Sequence, residues 1–197
     1  MLYDLKHAGC MEVYVIRHTK PAVAPTICYG QAEVDLAETF PQEAGKLQEE
    51  LPGHFDAVYC SPLYRCRAIA TELHLSNVTF EPALKEMHFG EWELQAWDAI
   101  DQEQLHRWMG DFVTQYPPGG ESLLALYQRV TAFLDGLKGE SASSVLLISH
   151  GGVIRCIWSY LLEIPLRNVF KLPVAYGEIL KIELTSSPQM DRIIRKQ

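Results

Sequence analysis

At 197 residues the chain has room for one generous domain whose core needs no disulfide or metal staple. Apolar residues make up 48% and charged residues 21%, ordinary globular usage that excludes disordered, collagen-like and repeat chains. The 17 basic and 25 acidic side chains leave a net charge of −8. That argues against nucleic acid or an anionic membrane as partner, and any site for a small anion must concentrate its own positive charge.

Ala8-Gly9-Cys10 is similar to the end of a bacterial lipoprotein signal. However, His7 stands where an apolar residue is wanted, and Asp4, Lys6 and His7 break any hydrophobic stretch, so the reading is against a signal. Met11 directly precedes the first strand-like run, and residues 1–10 read as an upstream extension or an alternative start. Residues 12–16 alternate and are rich in β-branched side chains, which predicts a strand ending at Arg17. A loop with Pro21, Pro25 and Gly30 leads to a helix that Pro41 opens and Pro52-Gly53 stops. Residues 57–60 read as a short buried strand, Ser61-Pro62 as the start of a helix, and residues 77–80 as a third strand. From Pro82 to Gly120 no strand is predicted, only helical pieces around Trp92, Trp97, Leu105 and Trp108. Ser122 is expected to cap a helix with the apolar stripe Leu123, Leu126, Tyr127, Val130, Phe133, Leu134 and Leu137. Residues 144–149 form a continuous apolar run, the pattern of a strand buried on both faces. A helix over 151–162 and two strands near 175–183 and 190–195 complete the chain. Alternating strands and helices predict an α/β fold with a mainly parallel sheet and helices on both faces. The expected organisation is a single domain over 1–197, with 82–120 as an insertion near the active site.

In open α/β sheets ligands gather at the carboxyl ends of strands. Arg17-His18 follows the first strand, Ser61-Pro62-Leu63-Tyr64-Arg65 the second, and Ser149-His150-Gly151-Gly152 the most buried one. Two arginines and two histidines therefore converge from distant parts of the sequence. Guanidinium forks bind phosphate oxygens with charge-assisted hydrogen bonds. Gly151-Gly152 opens a helix whose free N–H groups favour an anion. A neutral imidazole can attack phosphorus. The remaining histidines, His7, His54, His74, His88 and His106, have no metal-ligand spacing. The five cysteines are odd in number and form no CxxC pair, as expected of free thiols in a reducing cytoplasm. Arg67 and Arg155 lie on helices just beyond motifs and read at least as readily as salt-bridge or surface residues. Glu91 and Glu93 read as solvated loop acids.

Val15-Ile16-Arg17-His18-Thr19 resembles the Arg-His-Gly signature of the histidine phosphatase superfamily, also called phosphoglycerate mutase-like. Ser61-Pro62-Leu63-Tyr64-Arg65-Cys66-Arg67 is similar to its second-arginine motif and Ser149-His150-Gly151-Gly152 to its second-histidine motif. Leu84-Lys85-Glu86-Met87-His88-Phe89-Gly90-Glu91-Trp92-Glu93 resembles the segment that carries its acid. Four ordered motifs spanning nearly the whole chain are far more specific than any one of them. The resemblance implies a three-layer α/β/α sandwich and a phosphomonoesterase without metal or cofactor, acting on a small phosphorylated substrate. It implies that His18 attacks the phosphoryl group and that Glu86 first gives and then takes the leaving-group and water protons. Arg17, Arg65 and His150 would hold the phosphoryl oxygens, and Thr19, Tyr29, Gly30 and Gly151 would line the substrate. Two positions depart from the pattern: Thr19 replaces the usual Gly, and Ala24 stands where Asn is often found.

Tyr29-Gly30-Gln31-Ala32-Glu33-Val34-Asp35-Leu36 and Pro118-Gly119-Gly120-Glu121-Ser122 look most like the alpha-ribazole phosphatases of late cobalamin synthesis. The expected substrate is then alpha-ribazole 5′-phosphate, with Trp92, Trp97, Tyr116 and Tyr29 as aromatic surfaces for its base or, individually, as core packing. A phosphoglycerate mutase, a broad-specificity phosphatase and a non-catalytic phospho-ligand binder are the alternatives. The short stretch after the last predicted strand is expected to favour hydrolysis over mutase chemistry. A cytoplasmic homodimer is a further expectation.

Overall fold

The computed structural model describes residues 10–194. Residues 1–9 of the segment read as an extension lie outside the described residues. Six strands form one sheet: β1 Met11–Arg17, β2 Ala57–Cys60, β3 Val78–Phe80, β4 Ser144–Ser149, β5 Ile179–Leu184 and β6 Arg192–Ile194. Their order is β3-β2-β4-β1-β5-β6. The first four run parallel, and β5 and β6 continue the sheet antiparallel. Strand β4 is central, with a parallel neighbour on each side and helices over both faces, and its interior from Val145 to Ile148 is apolar for that reason.

The faces follow from the pleat. Val13, Val15, Val145 and Leu147 point to one core, and Tyr14, Ile16, Leu146 and Ile148 to the other. Helices α1 (Phe40–Glu50) and α2 (Tyr64–Glu72) cover the second face. After α3 (Gln102–Gly110), α4 (Leu123–Leu137) and α5 (Gly151–Leu162) cover the first. Ser122 Oγ accepts the Ala125 amide at 3.1 Å and starts α4, whose buried stripe is Leu123, Leu126, Val130, Leu134 and Leu137. The layers are those of an α/β/α sandwich. Among the described residues no helix is long and apolar enough to cross a membrane.

Two boundaries differ from the sequence expectation. Helix α2 starts at Tyr64 rather than at Ser61-Pro62, with Leu63 still extended; a residue before proline is biased away from the helical region, which keeps Ser61 out of the helix. Strand β5 begins at Ile179, because residues 174–177 turn back over the end of β1, with the Gly177 amide donating to the carbonyls of Arg17 and His18.

Residues 82–120 contain short 3-10 turns at Pro82–Leu84 and Gly90–Trp92 together with α3. Buried Trp92 packs with Cys28 and Ile100 in a small third core that Phe89, Trp97, Leu105 and Trp108 surround. The segment is pinned where two backbone stretches cross. The Glu91 amide donates to Pro118 O at 2.8 Å and the Glu121 amide to His88 O at 2.9 Å. Gly90 sits there at φ +55°, and a Cβ would fall 2.0 Å from Pro118 O. Gly90→Ala is therefore expected to cost at least about 1–2 kcal/mol for the left-handed backbone alone, lowering the melting temperature by roughly 2–8 °C. Gly53→Ala, at a position with open space around it, should change stability by less than about 0.5 kcal/mol in the same thermal melt.

Candidate active site

The parallel register of β1 and β4 places Arg17 beside Ser149. The next residue on each strand is a histidine, and the His18 amide donates to Ser149 O at 2.9 Å. The two rings lie edge to face with centroids 5.1 Å apart, and both are buried. His18 Nδ1 is 2.7 Å from the carbonyl oxygen of Thr19. A carbonyl can only accept, so Nδ1 carries the proton and Nε2 keeps its lone pair. His150 Nε2 lies 2.7 Å from Ser61 Oγ, which fixes the second ring from the end of β2.

The cations arrive from two elements. Arg65, on α2, is fully buried, with Nη1 donating to Ala32 O at 3.0 Å and Nη2 to Gly30 O at 2.6 Å. Arg17 donates to Val174 O, and its guanidinium carbon lies 3.7 Å from the ring centroid of Tyr176. The Nε of each of these arginines is buried without a hydrogen-bond partner, as is the hydroxyl of Thr19. These are unmet donors in a site that offers charge, a configuration that an incoming anion completes. Burial pushes the protonation of His18 well below the ordinary imidazole range, and the charges of Arg65 and Arg17 push the same way. His150 is lowered similarly by burial, then by Arg65, with His18, Arg129 and Arg17 adding to it.

Glu86 comes from the 82–120 segment. The Gly152 amide at the start of α5 donates to both of its carboxyl oxygens at 3.1 Å, and the Met87 amide to Oε1 at 3.0 Å. The helix N-terminus expected to be free for a ligand is thus held by Glu86 itself. Three contacts set the backbone of this acid. Arg129 Nη2 donates to Glu86 O at 3.0 Å, Gln31 Nε2 donates to the same oxygen at 2.9 Å, and Ser149 Oγ donates to Leu84 O at 2.8 Å. Arg129 is in turn paired with Glu121 at 2.7 Å.

The structure brings His18, His150, Arg17, Arg65, Thr19 and Glu86 around the ends of β1, β2 and β4. The other expected residues serve them. Gly30, at φ +36°, offers its carbonyl to Arg65, and a Cβ there would lie 2.5 Å from Glu93 Oε1. Gly151 lies against the Arg17 guanidinium, where a Cβ would approach Arg17 Nε at 3.2 Å. Tyr29 OH pairs with Tyr176 OH at 2.9 Å. Ala24 is exposed in a turn and brings no polar group. Glu93 corrects the expectation of a solvated acid. Its side chain is 12% exposed, and Oε1 accepts the amides of Gln31 and Phe89, binding the Tyr29 loop to the Glu86 segment. Trp92 is core, Tyr116 is 67% exposed, and Trp97 lines a cavity of about 210 Å³ beside Glu86 and Gly152. Arg67 pairs with Glu33 at 3.8 Å. Tyr176 and Arg129 had no motif to announce them. Among the described residues no group of three His, Cys, Asp or Glu side chains could hold a metal ion.

The chain matches the histidine phosphatase superfamily (branch 1) over residues 13–190, and it belongs to that family. It is a phosphatase, a hydrolase of small phosphorylated substrates. It is similar to the adenosylcobalamin/alpha-ribazole phosphatase of Escherichia coli, with 30% identity covering 85% of this chain and 87% of that one. It is also similar to phosphoserine phosphatase 1 of Hydrogenobacter thermophilus, at 28% identity over 79% of this chain and 78% of the other. The crystal structure of the alpha-ribazole phosphatase from Shigella flexneri superposes with a TM-score of 0.82 at 27% identity, covering 89% of this chain and 92% of that one.

The buried neutral histidines carry a stability consequence. Unfolded, each takes up a proton near its ordinary pKa of about 6.5; folded, only at much lower pH. As pH falls through that value the unfolded chain binds more protons, so stability declines, by up to about 1.4 kcal/mol per pH unit for each histidine. Denaturant melts between about pH 7.5 and 5.5 should record this decline. His18→Asn should flatten it by one histidine's share, and an unchanged slope would place His18 in contact with water.

Proposed function

We propose that the chain hydrolyses a small phosphate monoester through a phosphohistidine on His18, with alpha-ribazole 5′-phosphate as its natural substrate. The observation that carries the reading is the Nδ1–H of His18 directed to the Thr19 carbonyl, which leaves Nε2 as a lone-pair donor within the field of buried Arg65 and half-buried Arg17. In the first step Nε2 attacks phosphorus and the ester P–O bond breaks. The leaving oxygen takes the proton of the Glu86 carboxyl group, giving the free alcohol. In the second step a water oxygen attacks phosphorus, the P–N bond breaks, and Glu86 takes the water proton. Inorganic phosphate leaves and His18 is restored. Arg17, Arg65, His150 and the Thr19 hydroxyl hold the equatorial oxygens, most strongly as charge builds in the transition state. The cavity beside Glu86, with Ile27, Phe89 and Trp97 in its walls, suits a leaving group that ends in a flat apolar ring. The alpha-ribazole phosphatases among the relatives support that choice of substrate. The cysteines are all free, which supports a reducing cytoplasm.

A kinetic screen of phosphate esters that includes alpha-ribazole 5′-phosphate and phosphoserine tests the substrate; a preference for phosphoserine would overturn it. His18→Ala should lower turnover by about 10³-fold or more and abolish acid-labile phosphate on the protein. Trapping of that phosphate on another residue would refute the assignment.

Glu86→Gln keeps the shape but cannot deliver a proton. An alkoxide needs one to depart and a nitrophenolate does not. In single-turnover phosphoenzyme formation the loss should reach about 10²–10⁴-fold with an alkyl phosphate and be much smaller with nitrophenyl phosphate. Equal losses would reduce Glu86 to a structural residue.

A further inference from the structure

Arg155 sits on the second turn of α5, and its sequence context suggests a salt bridge or solvent. The structure gives it no salt bridge and leaves it only partly exposed. Its Nε is buried without a hydrogen-bond partner, and among the described residues its guanidinium makes no hydrogen bond and no ion pair. It lies beside Arg17: a Cβ on Gly151 would meet Arg155 Nη1 at 3.0 Å and Arg17 Nε at 3.2 Å. Its guanidinium carbon stands 5.4 Å from the ring centroid of Phe170. Burial and the Arg17 charge both disfavour its protonated form, while Glu86 favours it.

A cation that is half-buried, next to a second cation and without a bonded anion is costly unless an incoming group pairs with it. Arg155 faces the 210 Å³ cavity that it shares with Glu86 and Gly152. In the proposed reaction Glu86 touches the leaving oxygen, so this cavity is where the leaving alcohol lies. Its volume is below that of a typical whole-ligand site, so it takes part of that group.

The geometry points to Arg155 as a specificity-determining residue that hydrogen-bonds an oxygen of the leaving alcohol, a hydroxyl, ether or carboxylate oxygen a few bonds beyond the ester carbon. The inference rests on the phosphatase reading. It selects against esters whose alcohol is purely hydrocarbon, because those leave the guanidinium unpaired.

Three esters test it: ribose 5-phosphate, with hydroxyl and ether oxygens; phosphoserine, with a carboxylate; and cyclopentylmethyl phosphate, with no further oxygen. Arg155→Met should lose roughly 10- to 100-fold in kcat/KM on one or both oxygenated esters, through KM, and less than about 3-fold on the carbocycle. Arg155→Lys should recover part of the loss, and Arg155→Gln gives the same comparison should the Met variant not fold. Loss on ribose 5-phosphate alone assigns hydroxyl or ether recognition, and loss on phosphoserine assigns carboxylate recognition. Equal losses on all three esters with an unchanged melting temperature, or no loss on any, overturn the inference while the phosphatase reading stands. A wild-type protein inactive on all three and on alpha-ribazole 5′-phosphate refutes the phosphatase reading and the inference with it; if only alpha-ribazole 5′-phosphate is turned over, a roughly 10- to 100-fold KM-borne loss on it in Arg155→Met supports the inference and no loss overturns it.

Discussion

Everything at the candidate site depends on the register of one parallel strand pair. Arg17 stands beside Ser149 across β1 and β4, and each histidine is the next residue on its strand. A slip of one residue would turn the alternating side chains of β1 to the wrong faces and part the two imidazoles. The register is enforced by burial, because Val13, Val15, Ile16, Val145, Leu147 and Ile148 are all fully enclosed. The apolar packing that holds the fold is thus the same packing that sets the distance between the two rings.

The second constraint is electrostatic. In a chain with a net charge of −8, Arg17 and Arg65 at this site are not paired with carboxylates among the described residues. Arg65 and Arg17 are held by the backbone carbonyls of Gly30, Ala32 and Val174 rather than by carboxylates. Carbonyl oxygens satisfy donors without cancelling charge, so the guanidinium field stays available to an anion. The same field, with burial, keeps both histidines neutral. Glu86 is the acid that enters this neighbourhood, and its place is set from behind by Arg129, Gln31 and the start of α5.

The parts that were legible in the sequence are those with local signatures. The apolar run of β4, the cap at Ser122 and the motifs at the strand ends each follow from a few neighbouring residues. The parts that were not legible are long-range. Tyr176 reaches Arg17 and Tyr29 only because residues 174–177 fold back over β1. The pairing of Arg129 with Glu121 is visible once α4 is built, but its bonds to Ala83 and Glu86 require the placement of the whole 82–120 segment. Glu93 looked solvated because nothing nearby in sequence announces that the Gln31 amide will meet it. The antiparallel direction of β5 and β6 likewise depends on where the sheet has room for another edge.

The separation of β1 from its partners sets an order in time as well as in space. In synthesis from the N-terminus β1 emerges first, yet both strands that flank it, β4 and β5, lie far toward the other end of the chain. At roughly 5–20 residues per second, the about 130 residues between Arg17 and Ser149 take the ribosome some 7–26 s to add. Throughout that interval the longest strand of the N-terminal half has no edge to join and is open to wrong pairings or to a chaperone. A nascent chain therefore carries His18 long before residues 144–150 emerge to bring His150 beside it.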